Sequence, residues 1–235
     1  YNRVFVVSAY AGVTNLLLED KKNSKPGIYK SFINNDDIYK KKLDELIDHL
    51  TDINKSLTKI GLDNKEADRF IKKRIEHTKK YLDSMEEILS SGYIKVENIY
   101  SAAREILASL GEAHSAFNSY NILSNSGINT EFIDLTGFYD RTQLSMEERI
   151  EKSFDDIDLF QNVVIAPGYT KDKGGMVTQY GRGYSEITFS RIATFLKADQ
   201  AIIHKEHHLY QTFQSLCRAF GRIYSPRLWN LRLRS

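Results

Sequence analysis

The chain of 235 residues has a single cysteine, Cys217, so it builds no internal disulfide framework and fits a reducing compartment. It has no apolar run near the roughly 20 residues that cross a bilayer. Its opening, Tyr1-Asn-Arg-Val-Phe-Val-Val-Ser8, is too short for a secretory leader and runs into a motif instead of a cleavage site. A cytoplasmic location is expected. A charge of one sign is also missing: 33 Lys and Arg stand against 31 Asp and Glu, and the net +2 gives no global field toward nucleic acid or membrane. Neither an internal repeat nor a Ser-His-Asp arrangement is visible. What remains is 41% hydrophobic and 27% charged, ordinary for a globular protein, and long enough for one substantial core.

Val4-Phe5-Val6-Val7 is a short β-branched run of the kind buried on both faces of a parallel sheet. It leads through Ser8-Ala-Tyr-Ala-Gly12-Val-Thr14 into Asn15-Leu-Leu-Leu18, which predicts strand, tight loop and helix start. Residues 19–35 read as a loop. From 36 to 92 the pattern is helical and heavily charged, with Leu43, Leu46, Ile47 and Leu50 at three- and four-residue spacing and acids among its lysine runs, the mark of a solvated face. Ala102 to Leu123 predicts a second helix, with Ile106, Leu107, Leu110 and Phe117 on one side. Residues 131–135, 162–166 and 201–203 are strand candidates. Residues 169–179 read as a β-hairpin centred on Asp172-Lys-Gly-Gly175, with a further helix to about Leu196. Strands alternating with helices predict an α/β domain with a mostly parallel sheet, whose ligands sit at the carboxyl ends of the strands.

Three constellations carry chemistry. Small residues from Ser8 to Thr14 let a ligand approach the backbone, while hydroxyls and helix-start amides favour an anion; an unliganded turn explains the same residues. Gly111-Glu112 puts a costly glycine inside a helix, which signals close packing or a nearby ligand, with a carboxylate beside it for an ammonium group. Thr178-Gln-Tyr-Gly181-Arg182-Gly183-Tyr184-Ser185-Glu186-Ile-Thr188 is the most specific. There an arginine suited to gripping a carboxylate lies between two glycines, followed by Ser185 as a natural N-cap.

Together with Gly111-Glu-Ala-His-Ser-Ala116 and Pro167-Gly-Tyr169, in this order, these segments resemble the aspartokinase family over residues 4 to about 205. The resemblance implies the amino-acid-kinase fold, a three-layer αβα sandwich with a mostly parallel central sheet, here incomplete. It implies transfer of the γ-phosphoryl group of ATP, with Mg²⁺, to the side-chain carboxylate of L-aspartate. By position, Ser8 and Thr14 would lie near the aspartate, Glu112 would meet its ammonium, and Arg182 with Ser185 its α-carboxylate. Glu186 would be the catalytic carboxylate, and Gly12, His204, Lys205 and Tyr210 would border the nucleotide. An acceptor carboxylate with a pKa of about 4 is already ionised, so no general base is required.

Four departures accompany the resemblance. The family's opening Lys-Phe-Gly-Gly-Thr-Ser segment, which supplies a phosphate-binding lysine, is not in this sequence, and the natural beginning is expected upstream. Tyr184 stands for the usual glycine and Glu186 for the usual aspartate, a Gly-Tyr-Ser-Glu form similar to the ectoine-associated subgroup. The nucleotide loop, typically Thr-Asp-Val-x-Gly, reads Ile203-His-Lys-Glu-His-His-Leu-Tyr210. Its three histidines have no cysteine or carboxylate partner that would make them metal ligands. Beyond Glu206 there is no acidic residue, and five of the last eighteen residues are arginine. Residues 1–206 are therefore expected to be a partial catalytic domain, with 36–92 a helical insertion, and 207–235 an atypical basic tail from a truncated or frame-altered end. Expected partners are L-aspartate and ATP, with no nucleic acid or membrane and a homodimer left open. Whether the shortened chain is active is also open. The rivals are a kinase for glutamate or N-acetylglutamate, and an aspartate-binding or assembly module without turnover.

Overall fold

The two longest β-branched runs become neighbouring parallel strands in the computed structural model, which describes residues 3–20, 22–204, 223–224 and 229–231. β1 (Arg3–Val7) pairs with β3 (Val163–Pro167), and β3 pairs on its other side with β2 (Thr130–Phe132). Phe5, Ile165 and Phe132 share one register row. Val164 to Pro167 of the central strand are all buried, as a strand covered on both faces requires. Contacts divide the chain into two units, Tyr1–Thr188 and Phe189–Ser235.

In the first unit, the link from β1 to β2 holds five helices: α1 (Val13–Leu17), α2 (Ile28–Ile33), α3 (Ile38–Leu57), α4 (Asn64–Ser90) and α5 (Val96–Asn125). The charged 36–92 segment folds as the α3–α4 hairpin. Leu43, Leu46 and Leu50 form one buried stripe, and Ala67, Ile71, Ile75 and Leu82 form the stripe that faces it. Gly61, with φ 101°, ends the turn after α3, and the Asp63 side chain caps α4 by accepting from the amides of Lys65 and Glu66. α4 packs on α5, and α5 packs across the three-stranded sheet. Phe70 of α4 stacks on Phe117 of α5 at 3.9 Å, and Phe132 of β2 meets Phe117 edge-on at 5.6 Å.

Two expectations are corrected here. Residues 19–35 are not all loop, because Ile28, Tyr29 and Phe32 are buried on α2, and Phe32 packs edge-on against Tyr39 and Tyr100. Residues 169–179 do not form a hairpin. They run as a loop into α7 (Met176–Tyr180), a 3-10 turn (Gly181–Gly183) and α8 (Tyr184–Phe195). Between β2 and β3 lies α6 (Met146–Phe154), closed by a capping box in which Ser145 and Glu148 bond reciprocally.

The second unit contains the end of α8, then β4 (Ala201–Ile203), β5 (Ile223–Tyr224) and β6 (Trp229–Leu231), an antiparallel sheet in the order β4-β6-β5. Among its described residues, Ala193 and Ala201 form a buried cluster, with Phe189 and Ala198 packed against them.

Candidate active site

The carboxyl ends of β1 and β3 are held side by side, since the Gly168 amide donates to the Val7 carbonyl at 2.9 Å. The loops that leave these strands are the Ser8–Gly12 turn and the Gly168–Gly175 segment. Gly12 has φ 82°, a left-handed conformation that lets the chain turn from β1 into α1. The amides of Val13 and Asn15 are spent on the carbonyls of Tyr10 and Gly12, so much of the hydrogen-bonding capacity at this helix start closes the turn itself.

α5 lies beneath both loops, and its mid-helix glycine is there for contact. A Cβ on Gly111 would come within 2.9 Å of Val13 Cγ1 and 3.0 Å of Ala9 Cβ. One turn further on, Ser115 Oγ donates to the Ser8 carbonyl at 2.7 Å, fixing the exit of β1 to the helix. Between these anchors the Glu112 carboxylate is buried, 3% exposed. Ser185 Oγ donates to Glu112 Oε1 at 2.6 Å. A side chain on Gly168 would stand 2.8 Å from Glu112 Oε2 and 2.7 Å from Ser185 Cβ. Glu112, Ser185 and the Gly168 backbone therefore meet at one point above the parallel strands.

Ser185 is the second residue of α8, and its hydroxyl serves Glu112; the expected N-cap role is corrected. Arg182, in the 3-10 turn before α8, donates to the Asn15 side chain and the Glu19 carbonyl. Arg182 thus borders α1 at Asn15 while Gly111, next to Glu112, borders it at Val13 and Leu17. Buried Tyr184 lies within electrostatic reach of both charged groups and meets Tyr169 edge-on at 5.5 Å. Burial, then nearby carboxylates, push both phenol pKa values up, so the two rings stay neutral.

Sequence reasoning missed Glu105, which organises this region. Its carboxylate accepts from Tyr169 Oη at 2.8 Å, the Val177 amide at 3.1 Å, and the Thr178 amide and hydroxyl at 3.0 and 3.1 Å. A side chain from α5 thereby caps the start of α7, and one glutamate among many charged residues gives no sequence signal of that.

Of the expected site residues, Ser8, Gly12 and Thr14 lie on the β1–α1 turn, Glu112 on α5, and Arg182, Ser185 and Glu186 around the start of α8. His204 is exposed and falls in the second unit, whereas Lys205 and Tyr210 lie outside the described residues, as does most of the basic tail. Among the described residues no three His, Cys, Asp or Glu side chains gather as a metal site, and no helix is long and apolar enough to cross a membrane.

A parallel α/β sheet with a buried carboxylate, a hydroxyl, a guanidinium and glycine turns at its carboxyl edge has the architecture of α/β proteins whose ligands sit at the strand ends. Comparison with known families sharpens this class. The model of the amino acid kinase family matches residues 1–211, and the chain belongs to that family. The α/β architecture expected for it is the one observed. A curated relative, the aspartate kinase Ask_Ect of Stutzerimonas stutzeri (strain A1501), is 40% identical over 211 residues, covering 89% of this chain. The chain spans only 44% of that protein's length. No solved structure matches this chain.

Proposed function

We propose that this chain carries the amino-acid site of an aspartate kinase of the ectoine-associated branch, which transfers the γ-phosphoryl group of ATP to the side-chain carboxylate of L-aspartate. The observation that carries the reading is the convergence of Glu112, Ser185 and the side-chain-free Gly168 at the carboxyl ends of β1 and β3, with Arg182 on the neighbouring turn. In this reading Glu112 receives the ammonium group and Arg182 the α-carboxylate, with Ser185 assisting Arg182 once its single O–H turns from Glu112 to the ligand. Ser8 and Thr14 flank the ligand from the β1–α1 turn. The acceptor oxygen attacks the γ-phosphorus while the bond to the ADP oxygen breaks, giving an acyl phosphate. The protein contributes by holding two anions together in line, with no proton to remove.

Mg²⁺ entering on the triphosphate would neutralise phosphate charge and needs only one or two protein carboxylates. Glu186, in the first turn of α8, is the carboxylate assigned to that region. Gly12, His204, Lys205 and Tyr210 are assigned to the nucleotide. Residues 1–206 are assigned to the catalytic domain, with 36–92 as an insertion and 207–235 as a basic tail, and a cytoplasmic location goes with this reading.

Calorimetry with L-aspartate tests the amino-acid site. Arg182→Ala is expected to cost about 2–5 kcal/mol of binding, as for a buried charge left without its partner. Hydroxylamine trapping of the acyl phosphate across aspartate, glutamate and N-acetylglutamate tests the reaction. Signal with another acid and none with aspartate would replace this reading, and aspartate binding without ATP consumption would make the chain a binding module.

A further inference from the structure

Arg182 is held by the segment that follows the β1–α1 turn. Its Nη1 donates to the Glu19 carbonyl at 2.9 Å and its Nη2 to the Asn15 side-chain oxygen at 2.7 Å. Its Nε is buried and makes no hydrogen bond. A guanidinium has five N–H donors in a rigid plane, so two bonds to this segment define the plane and leave three donors over, one already removed from water.

Asn15 has a single workable orientation. Its Nδ2 donates to Asp20 Oδ2 at 3.1 Å, and the other oxygen of Asp20 accepts from the amides of Lys22 and Asn23. A flipped amide would turn its oxygen toward a carboxylate and its NH₂ toward a guanidinium, so that both bonds are lost. The Glu19 carbonyl is steadied from the same segment. Its side chain forms a two-point ion pair with Arg104 of α5, and that guanidinium lies over the Tyr29 ring at 4.9 Å. Gly27 seats the segment, since a Cβ there would lie 2.5–2.7 Å from the carbonyls of Leu18, Leu16 and Asn15.

We infer that Asn15 is a positioning residue that sets the plane of the Arg182 guanidinium, so that the remaining hydrogens on its two η nitrogens are presented to the carboxylate of a bound amino acid. Asn15 does not touch the ligand. It acts through Arg182 alone, and its contribution is confined to ligands that carry the negative group Arg182 reads. The inference rests on the proposed role of Arg182 as the α-carboxylate partner.

That confinement separates positioning from ordinary structural support. The test is titration calorimetry on the full chain with two ligands, L-aspartate and its α-amide, in which the carboxylate facing Arg182 becomes a neutral carboxamide. Wild type is expected to prefer aspartate. Asn15→Ala is expected to weaken aspartate about tenfold, the scale of one hydrogen bond to a charged group, while the α-amide changes less than about twofold. Asn15→Asp is nearly isosteric but sets its second oxygen against Asp20, so it is made together with Asp20→Asn; the carboxylate it puts against Arg182 competes with the ligand's own and should narrow the preference further. This double variant also carries the test if the alanine variant fails to fold. Equal losses for both ligands, or no loss for either, overturn the inference while leaving the aspartate site standing. Wild type that binds neither ligand overturns the site and the inference with it.

Discussion

Gly168 shows how little room surrounds the Glu112 carboxylate. A methyl group there would sit 2.7 Å from Ser185 Cβ, closer than carbon atoms tolerate, so Gly168→Ala must displace Ser185 or the strand end. Overpacking of this kind costs about 1–3 kcal/mol. A lowered thermal midpoint together with loss of aspartate binding is the expected outcome, read by scanning calorimetry and titration. His114, two residues beyond Glu112, makes a different prediction. It is fully buried, and Asn54 Oδ1 accepts from its Nε2 and from Asn118 Nδ2, which also reaches Tyr10 Oη. Burial, then the nearby charge of His49, lower its pKa from 6.5 to about 3. Between those values the unfolded chain takes up a proton that the folded chain refuses. The stabilisation is therefore complete above pH 6.5 and drains away as pH falls toward 3, by at most about 1.4 kcal/mol per pH unit. Urea melts from pH 7 to 4.5 should show that slope in wild type and a shallower one in His114→Gln. At this scale the sequence was partly legible. Glu112, Arg182 and Ser185 stand beside glycines whose presence demands an explanation. Asn15, Asn54 and Glu105 resemble any polar residue on a helix until distant segments come to meet them.

Elements were legible where periodicity alone decides them. The stripes at 43, 46 and 50 gave α3, and β-branched runs gave β1 and β3. What periodicity cannot show is an element stabilised from outside. α7 exists because Glu105 of α5 accepts from the Val177 and Thr178 amides, and because Asp172 ties the preceding turn through the Gly174 amide and Gln179 Nε2. The Asp172-Lys-Gly-Gly175 centre suggested a hairpin because the carboxylate of distant Glu105 was not in view. α6 was a true omission, as the Ser145-x-x-Glu148 spacing carries a capping signal. The hub at Glu105 makes its own prediction. Glu105→Ala leaves several donors without an acceptor and should cost about 1–3 kcal/mol of stability. Amide exchange at Val177 and Thr178 should accelerate more than exchange in β3, and uniform acceleration would show that the cap is not local.

Burial is uneven among the elements of the molecule. In β4 Ala201 is buried and its two neighbours are half-buried, whereas Val164 to Pro167 of β3 and the middle of α5 are buried throughout. Opening free energy follows buried apolar contact, so β4 amides should exchange well before those of α5 or β3 in native-state hydrogen exchange. Coincident protection in both sets would mean that the two units open as one. The central helix has a consequence for anyone who would redirect the ligand preference of this scaffold. From Leu107 to Asn118 every residue of α5 is buried, so no side of that stretch faces water. A library that randomises it would mostly return unfolded clones, whatever ligand was sought. Diversity has to enter through the turns at 8–12 and 171–175, which can change shape while the rod behind them stays as it is.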